Sequence, residues 1–229
     1  MSAPVTAQTE RIAGLRTLRL CTGTPAISVV MLHGRTMEPE ALAPFATSLG
    51  VAADVFVPQG PVTDAPGFAW WPTDHARRRA QLAAGPRDLH DDAPAGVPAA
   101  RALLLALLES VRGEAPERPV AVLGFSQGGM LACDALLRDH APINALGLLS
   151  SSRITAAQWE PRLAPLRGLP VLVSHGRDDE ELSFAAGEGL RDLCARGGAT
   201  VTWVPFDGGH EIPLVVWRAI RRLLRALTP

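Results

Sequence analysis

Pro119-Val120-Ala121-Val122-Leu123-Gly124-Phe125-Ser126-Gln127-Gly128-Gly129 is the stretch on which the reading of the whole chain turns. Its first half is a short apolar run suited to a strand buried on both faces. From Gln127 to Asp139 the pattern becomes that of an amphipathic helix. Between the two lies Gly124-Phe125-Ser126-Gln127-Gly128, a G-x-S-x-G turn that holds a serine in a strained conformation with its hydroxyl above the sheet. Glycines flank the serine because side chains there would collide as the chain reverses. A structural turn with an incidental serine is the competing reading. A strand before the turn and a helix after it favour a displayed nucleophile.

Working outward, strand-like runs occur at Ala26–Met31, Asp54–Val57, Asn144–Leu149, Pro170–Ser174 and Thr200–Phe206, with Pro119–Gly124 among them. Helix-like segments fall between and after them at Pro98–Arg112, Gln127–Asp139, Glu181–Ala195 and Leu214–Leu227. In the last, Leu214, Val215, Ile220, Leu223, Leu224 and Leu227 are expected to form the apolar stripe. This alternation predicts an α/β architecture, a mostly parallel sheet with right-handed crossovers and helices on both faces. Leu15–Cys21 is read as an added antiparallel edge strand. Pro58–Asp92, rich in Pro, Gly and Asp, is read as a long loop or lid, and Ser150–Gly168 as a second irregular connection. One domain over residues 1–229 is expected.

Composition narrows the function classes. The formal net charge is −1, without the basic excess of a general nucleic-acid binder. All 22 basic residues are arginine, and neither lysine nor tyrosine occurs. Lysine Schiff-base chemistry and tyrosine acid catalysis are therefore excluded. Cys21, Cys133 and Cys194, odd in number and irregularly spaced, read as free thiols in a reducing compartment. Met1 to Leu20 offers no signal-peptide stretch, and the apolar run Ala102 to Leu108 is too short to span a bilayer. A cytoplasmic protein without stable membrane insertion is the expectation; oligomeric state is not legible.

A serine hydroxyl needs a base to take its proton and a carboxylate to orient that base. Behind this type of turn the chain order is serine, acid, histidine. Of the histidines after Ser126, His140 lies at the far end of the following helix. His175 has no credible acid between itself and Ser126. His210, in Asp207-Gly208-Gly209-His210-Glu211 after the last strand, is the candidate base. The acid belongs at the end of the preceding strand, where Asp178, Asp179, Glu180 and Glu181 stand side by side and spacing does not choose among them. Charge developing on a carbonyl oxygen needs N–H donors. The backbone N–H of Gln127 is one, and the loop Leu32-His33-Gly34-Arg35 is placed to supply another.

Taken together, Leu32-His33-Gly34, Gly124-Phe125-Ser126-Gln127-Gly128-Gly129, His175-Gly176-Arg177-Asp178-Asp179 and Gly208-Gly209-His210 resemble the phospholipase/carboxylesterase family of small α/β-hydrolases. That family includes acyl-protein thioesterases and bacterial carboxylesterases. The resemblance runs over about residues 26–225. It implies hydrolysis of a small-molecule ester or thioester by Ser126, Asp179 and His210, with no metal or organic cofactor. It also points to Asp179 as the acid and to the Arg35 backbone as the first oxyanion donor. The sequence departs from the family after the acid, where Glu180-Glu181-Leu182 replaces a proline-bounded hydrophobic stretch. Trp70-Trp71-Pro72 is similar to bacterial members, which favours a carboxylesterase over a protein depalmitoylase. An acyl-thioesterase, lysophospholipase or acyltransferase using the same triad is the alternative, and a noncatalytic binding protein on this fold the reading from another class.

Trp70 and Trp71 are candidate walls of a substrate pocket. His33 and His175 read as turn residues with structural hydrogen bonds, and Arg77–Arg79 as a solvated surface turn. No H-E-x-x-H or paired-histidine spacing supports zinc.

Overall fold

A computed structural model describes residues 5–228 of the chain. Strands β1 (Val5–Ile12) and β2 (Leu15–Thr22) form an antiparallel hairpin. Ala13 and Gly14 join them with φ of 48° and 85°, the pair of positive angles of a two-residue primed turn. Next come β3 (Ile27–Leu32), a short helix α1 (Ala43–Ala46) and β4 (Ala53–Pro58). A small separate hairpin, β5 (Val62–Asp64) with β6 (Gly67–Ala69), leads to α2 (His75–Ala83) and α3 (Val97–Glu114). The remainder alternates: β7 (Val120–Phe125), α4 (Gln127–Asp139), β8 (Ala145–Leu149), α5 (Ala156–Trp159), β9 (Pro170–Gly176), α6 (Phe184–Arg196), β10 (Thr200–Phe206) and α7 (Leu214–Arg225).

The main sheet has eight strands in the order β1-β2-β4-β3-β7-β8-β9-β10. The strands from β4 to β10 run parallel, and β1 and β2 pair antiparallel at one edge. This is the mostly parallel α/β architecture that the strand and helix pattern predicts, and it agrees with the α/β-hydrolase fold that the resemblance implies. Successive residues of the central strands point to opposite faces. Val30, Leu32, Val120, Val122, Leu146, Leu148, Val171 and Val173 enter one core with α3, α4 and α6. Val29, Met31, Ala121, Leu123, Leu149 and Leu172 enter the other, closed by α1 and α7. The chain leaves β3 toward α1 on one face and β7 toward α4 on the other. A crevice opens where neighbouring strands part in this way, at their carboxyl ends, and that is where open α/β sheets bind ligands.

Several local expectations need correcting. β1 extends the edge beyond the predicted strand; Thr6 to Thr9 are exposed, so no inward–outward apolar alternation marks them. Residues 58–92 are not a bare loop, because they hold the β5–β6 hairpin and α2. In α7 the buried face is Val216, Trp217, Ala219, Ile220 and Leu224, whereas Leu214 and Val215 of the predicted stripe are exposed. The inward face begins at Val216, two residues after the predicted stripe does. Helix α6 starts at Phe184 because Ser183 caps it, its side chain accepting from the Ala186 N–H.

Candidate active site

Ser126 sits between β7 and α4 with φ 52° and ψ −116°, a conformation costly for any side-chain-bearing residue. The surroundings over-determine it. Its N–H donates to the Leu149 carbonyl at 2.8 Å, and its carbonyl accepts from the Gly129 and Met130 N–H groups and from the Ser151 hydroxyl. A Cβ at Gly128 would stand 2.4 Å from the Leu32 carbonyl oxygen, so only glycine lets the elbow approach β3 this closely.

The Ser126 hydroxyl donates to His210 Nε2 at 2.9 Å. On the other side of the ring, His210 Nδ1–H donates to Asp179 Oδ2 at 2.7 Å. An ionised carboxylate only accepts, so this contact places the proton on Nδ1 and leaves Nε2 free to receive one. Phe125 packs against the His210 ring, with centroids 4.9 Å apart.

Asp179 is buried behind His210, while Asp178 beside it is exposed. The other oxygen of Asp179 accepts from the Glu181 and Leu182 N–H groups at 2.8 and 2.9 Å. Burial would raise its carboxyl pKa, but the contact with His210 and the two N–H groups outweighs burial and holds it below the ordinary carboxylate range. Of the four adjacent carboxylates, Asp179 is the one that is buried against His210.

Gln127 opens α4, and its N–H belongs to the first turn, where no helix carbonyl can reach it. Its side chain turns away to the β6–α2 connection, Oε1 accepting from the Trp70 N–H at 2.8 Å and Nε2 donating to the Trp71 carbonyl at 3.3 Å. Gln127→Leu leaves both groups without this partner and is expected to cost about 2–4 kcal/mol of folding stability, read by urea unfolding.

A cavity of about 490 Å³ brings together Arg35, Trp71, Ser126, Gln127 and His210. Trp70, the other tryptophan expected there, is not in its wall. It is buried against His33 with ring centroids 5.1 Å apart, its indole N–H donating to the His33 carbonyl at 2.9 Å. The expected solvated turn at Arg77–Arg79 is also corrected: these residues lie in α2, and Arg77 and Arg78 line the cavity. Leu182, from the segment that departs from the family, also lines the cavity, as do Met130, Ile154 and Arg87, which the sequence did not single out. Met130 had a usable signal, since it stands in the first turn of the helix behind the serine; Arg87 had none.

Two further histidines brace this site. His33 Nδ1 donates to the Gly34 carbonyl at 2.7 Å, and Nε2 accepts from the Gly60 N–H at 2.9 Å. His175 Nε2 donates to the Leu182 carbonyl at 3.0 Å and lies 3.4 Å from Asp179 Oδ2. Both rings are fully buried, and burial lowers both pKa values from the ordinary 6.5. The unfolded chain then binds protons that the native protein does not. Stability is complete above about pH 6.5 and declines below it, by up to about 1.4 kcal/mol per pH unit for each histidine. Urea titrations between pH 5 and 8 measure this slope, which His175→Gln is expected to reduce.

A family model described as phospholipase/carboxylesterase matches residues 91–228, more than half of the chain. The chain belongs to this family. The matched span contains Ser126, Asp179 and His210 but not Arg35, Trp70 or Trp71. Among solved structures, the chain is similar to a carboxylesterase from Mesorhizobium loti, at 18% identity and TM-score 0.74, covering 98% of this chain and 99% of that one. The esterase PE8 is 23% identical with TM-score 0.73, covering 99% and 98%. Acyl-protein thioesterase 2 of Zea mays is 20% identical with TM-score 0.72, covering 96% and 98%. At these identities the likeness establishes the α/β-hydrolase fold. Family membership places the chain among ester-hydrolysing enzymes. Among the described residues, no helix is long and apolar enough to cross a membrane.

Proposed function

We propose that this member of the family is a serine carboxylesterase working through Ser126, His210 and Asp179. The observation that carries the reading is the unbroken relay from Asp179 through His210 to Ser126, with links of 2.7 and 2.9 Å. Ser126 Oγ attacks the ester carbonyl carbon while its proton passes to His210 Nε2. Asp179 keeps the ring in the required tautomer and stabilises the imidazolium. The charge on the tetrahedral oxygen is taken by the backbone N–H groups of Gln127 and Arg35. Collapse breaks the bond to the alcohol, which leaves with the proton from His210. Water then repeats the sequence against the acyl-enzyme and restores Ser126.

Every proton and charge in this cycle is handled by the chain itself, so turnover of p-nitrophenyl butyrate should be unchanged by EDTA. The same cycle runs on thioesters, the alternative favoured by the structural likeness to the maize thioesterase. Pre-steady-state release of p-nitrophenol tests the reading: a burst approaching one equivalent per chain marks an acyl-enzyme that accumulates. Comparing oxygen esters with thioesters of the same acyl group then separates carboxylesterase from thioesterase. The three free cysteines, Cys21, Cys133 and Cys194, suit a reducing compartment, and we assign the enzyme to the cytoplasm.

A further inference from the structure

Four guanidinium groups line the cavity that holds Ser126 and His210: Arg35, Arg77, Arg78 and Arg87. Two have their own counter-charges. Arg77 reaches out to Asp92 at 2.6 Å and is largely exposed. Arg35 pairs at 3.2 Å with Asp64, which His75 also approaches. Arg78 and Arg87 differ, because both lean on the single carboxylate of Glu181. Their side chains are only 17% and 15% exposed, and the Arg87 contact to that carboxylate is a long 3.3 Å. Arg78 Nε is buried with no hydrogen-bond partner among the described residues.

Arg78 and Arg87 share one carboxylate as their direct partner, and the other two acids of the wall, Asp74 and Asp92, make their hydrogen bonds to Arg77. Asp74 accepts from the Arg77 N–H to cap α2, and Asp92 holds the Arg77 side chain. Across Arg78, Arg87 and Glu181 one positive charge is therefore in excess within a concave surface, where the field is focused, while Asp74 keeps its own negative charge at an exposed position. Burial, with repulsion from Arg78 and Arg35, works against the charge on Arg87 despite the attraction of Glu181 and Asp92, so an added anion would relieve it. Guanidinium groups present planar sets of N–H donors that match a carboxylate. Trp71, Leu89, Met130, Ile154 and Leu182 make the rest of the wall substantially apolar.

We propose that Arg78 and Arg87 form a subsite for a carboxylate carried by the substrate, so that the preferred esters are small ones bearing a free acid group. The one charge by which Arg78 and Arg87 exceed Glu181 suits a monoanionic carboxylate better than a doubly charged phosphate. The proposal rests on the reading of Ser126 and His210 as the reaction centre of an esterase, and it adds the substrate class.

The test compares matched esters differing only in a terminal carboxylate. The acyl-side pair is the mono-p-nitrophenyl ester of glutarate against p-nitrophenyl butyrate. The alcohol-side pair is 4-(butyryloxy)butanoate against butyl butyrate. Wild type is expected to favour the acid by about tenfold or more in kcat/KM in at least one pair, the scale of hydrogen bonds to a charged group. Arg78→Gln and Arg87→Gln should bring that ratio toward one, Arg78→Lys should keep more of it, and added salt should lower it. Using the ratio cancels any general loss of activity in a variant. On wild type alone, glutarate should inhibit competitively where pentane-1,5-diol does not. The proposal is overturned if neither pair favours the acid, if both glutamine variants keep the wild-type ratio, or if glutarate inhibits no better than the diol. Absence of turnover with all four esters would instead bring down the esterase reading, and this proposal with it.

Discussion

Ser126→Ala is expected to lower kcat for ester hydrolysis by on the order of 10⁶, and the Ser126→Ala/His210→Ala double variant to be scarcely slower than either single variant. The reason is the shared step. The hydroxyl is activated only while its hydrogen bond to His210 Nε2 offers the proton somewhere to go, and the imidazole has nothing to activate once the hydroxyl is gone. What survives either loss is the binding of the ester and the N–H donors proposed at Gln127 and Arg35, and these survive both losses equally. Two groups contributing independently would instead show losses that multiply. Steady-state kinetics on the three variants, with circular dichroism to confirm the fold, decides between these outcomes.

Asp179→Asn is expected to reduce kcat by about 10⁴, while Asp178→Asn changes kcat/KM by no more than about twofold to threefold, the scale of surface substitutions. Asp179 Oδ2 receives the proton-bearing Nδ1 of His210 at 2.7 Å, whereas Asp178 is exposed. An amide at 179 can present its NH₂ to the ring. That would move the imidazole proton to Nε2, where it blocks acceptance of the Ser126 proton. Asn also lacks the charge that stabilises the imidazolium. The opposite ranking of the two variants would reassign the acid to Asp178.

Much of this arrangement is written locally in the chain. A six-residue apolar strand, a serine between glycines and a helix make β7, the turn and α4 readable because each follows from near neighbours. His210 follows from the order of elements. Asp179 does not follow from spacing, because four adjacent carboxylates differ only in which is buried, and burial depends on how the loop folds over His210. Trp70 and Trp71 carry the same side chain and part company only through tertiary contacts, Trp70 against His33 and Trp71 against the cavity.

The arginine cluster was the least legible part. Helix α2 buries no residue, so its sequence has no stripe to betray a packed face. The carboxylate that draws its Arg78 inward is Glu181, 103 positions further along. β1 escaped detection for a related reason: an edge strand exposed at Thr6 to Thr9 is held by backbone pairing with β2, which leaves little mark on side-chain choice.

The central claim, that Ser126 is a nucleophile activated by His210, is tested most directly by reacting the protein with a fluorophosphonate and locating the adduct by peptide mass spectrometry. The expected result is one adduct per chain on Ser126, absent from Ser126→Ala and strongly slowed in His210→Ala. No adduct, or an adduct on another serine with Ser126 unmodified, would contradict it.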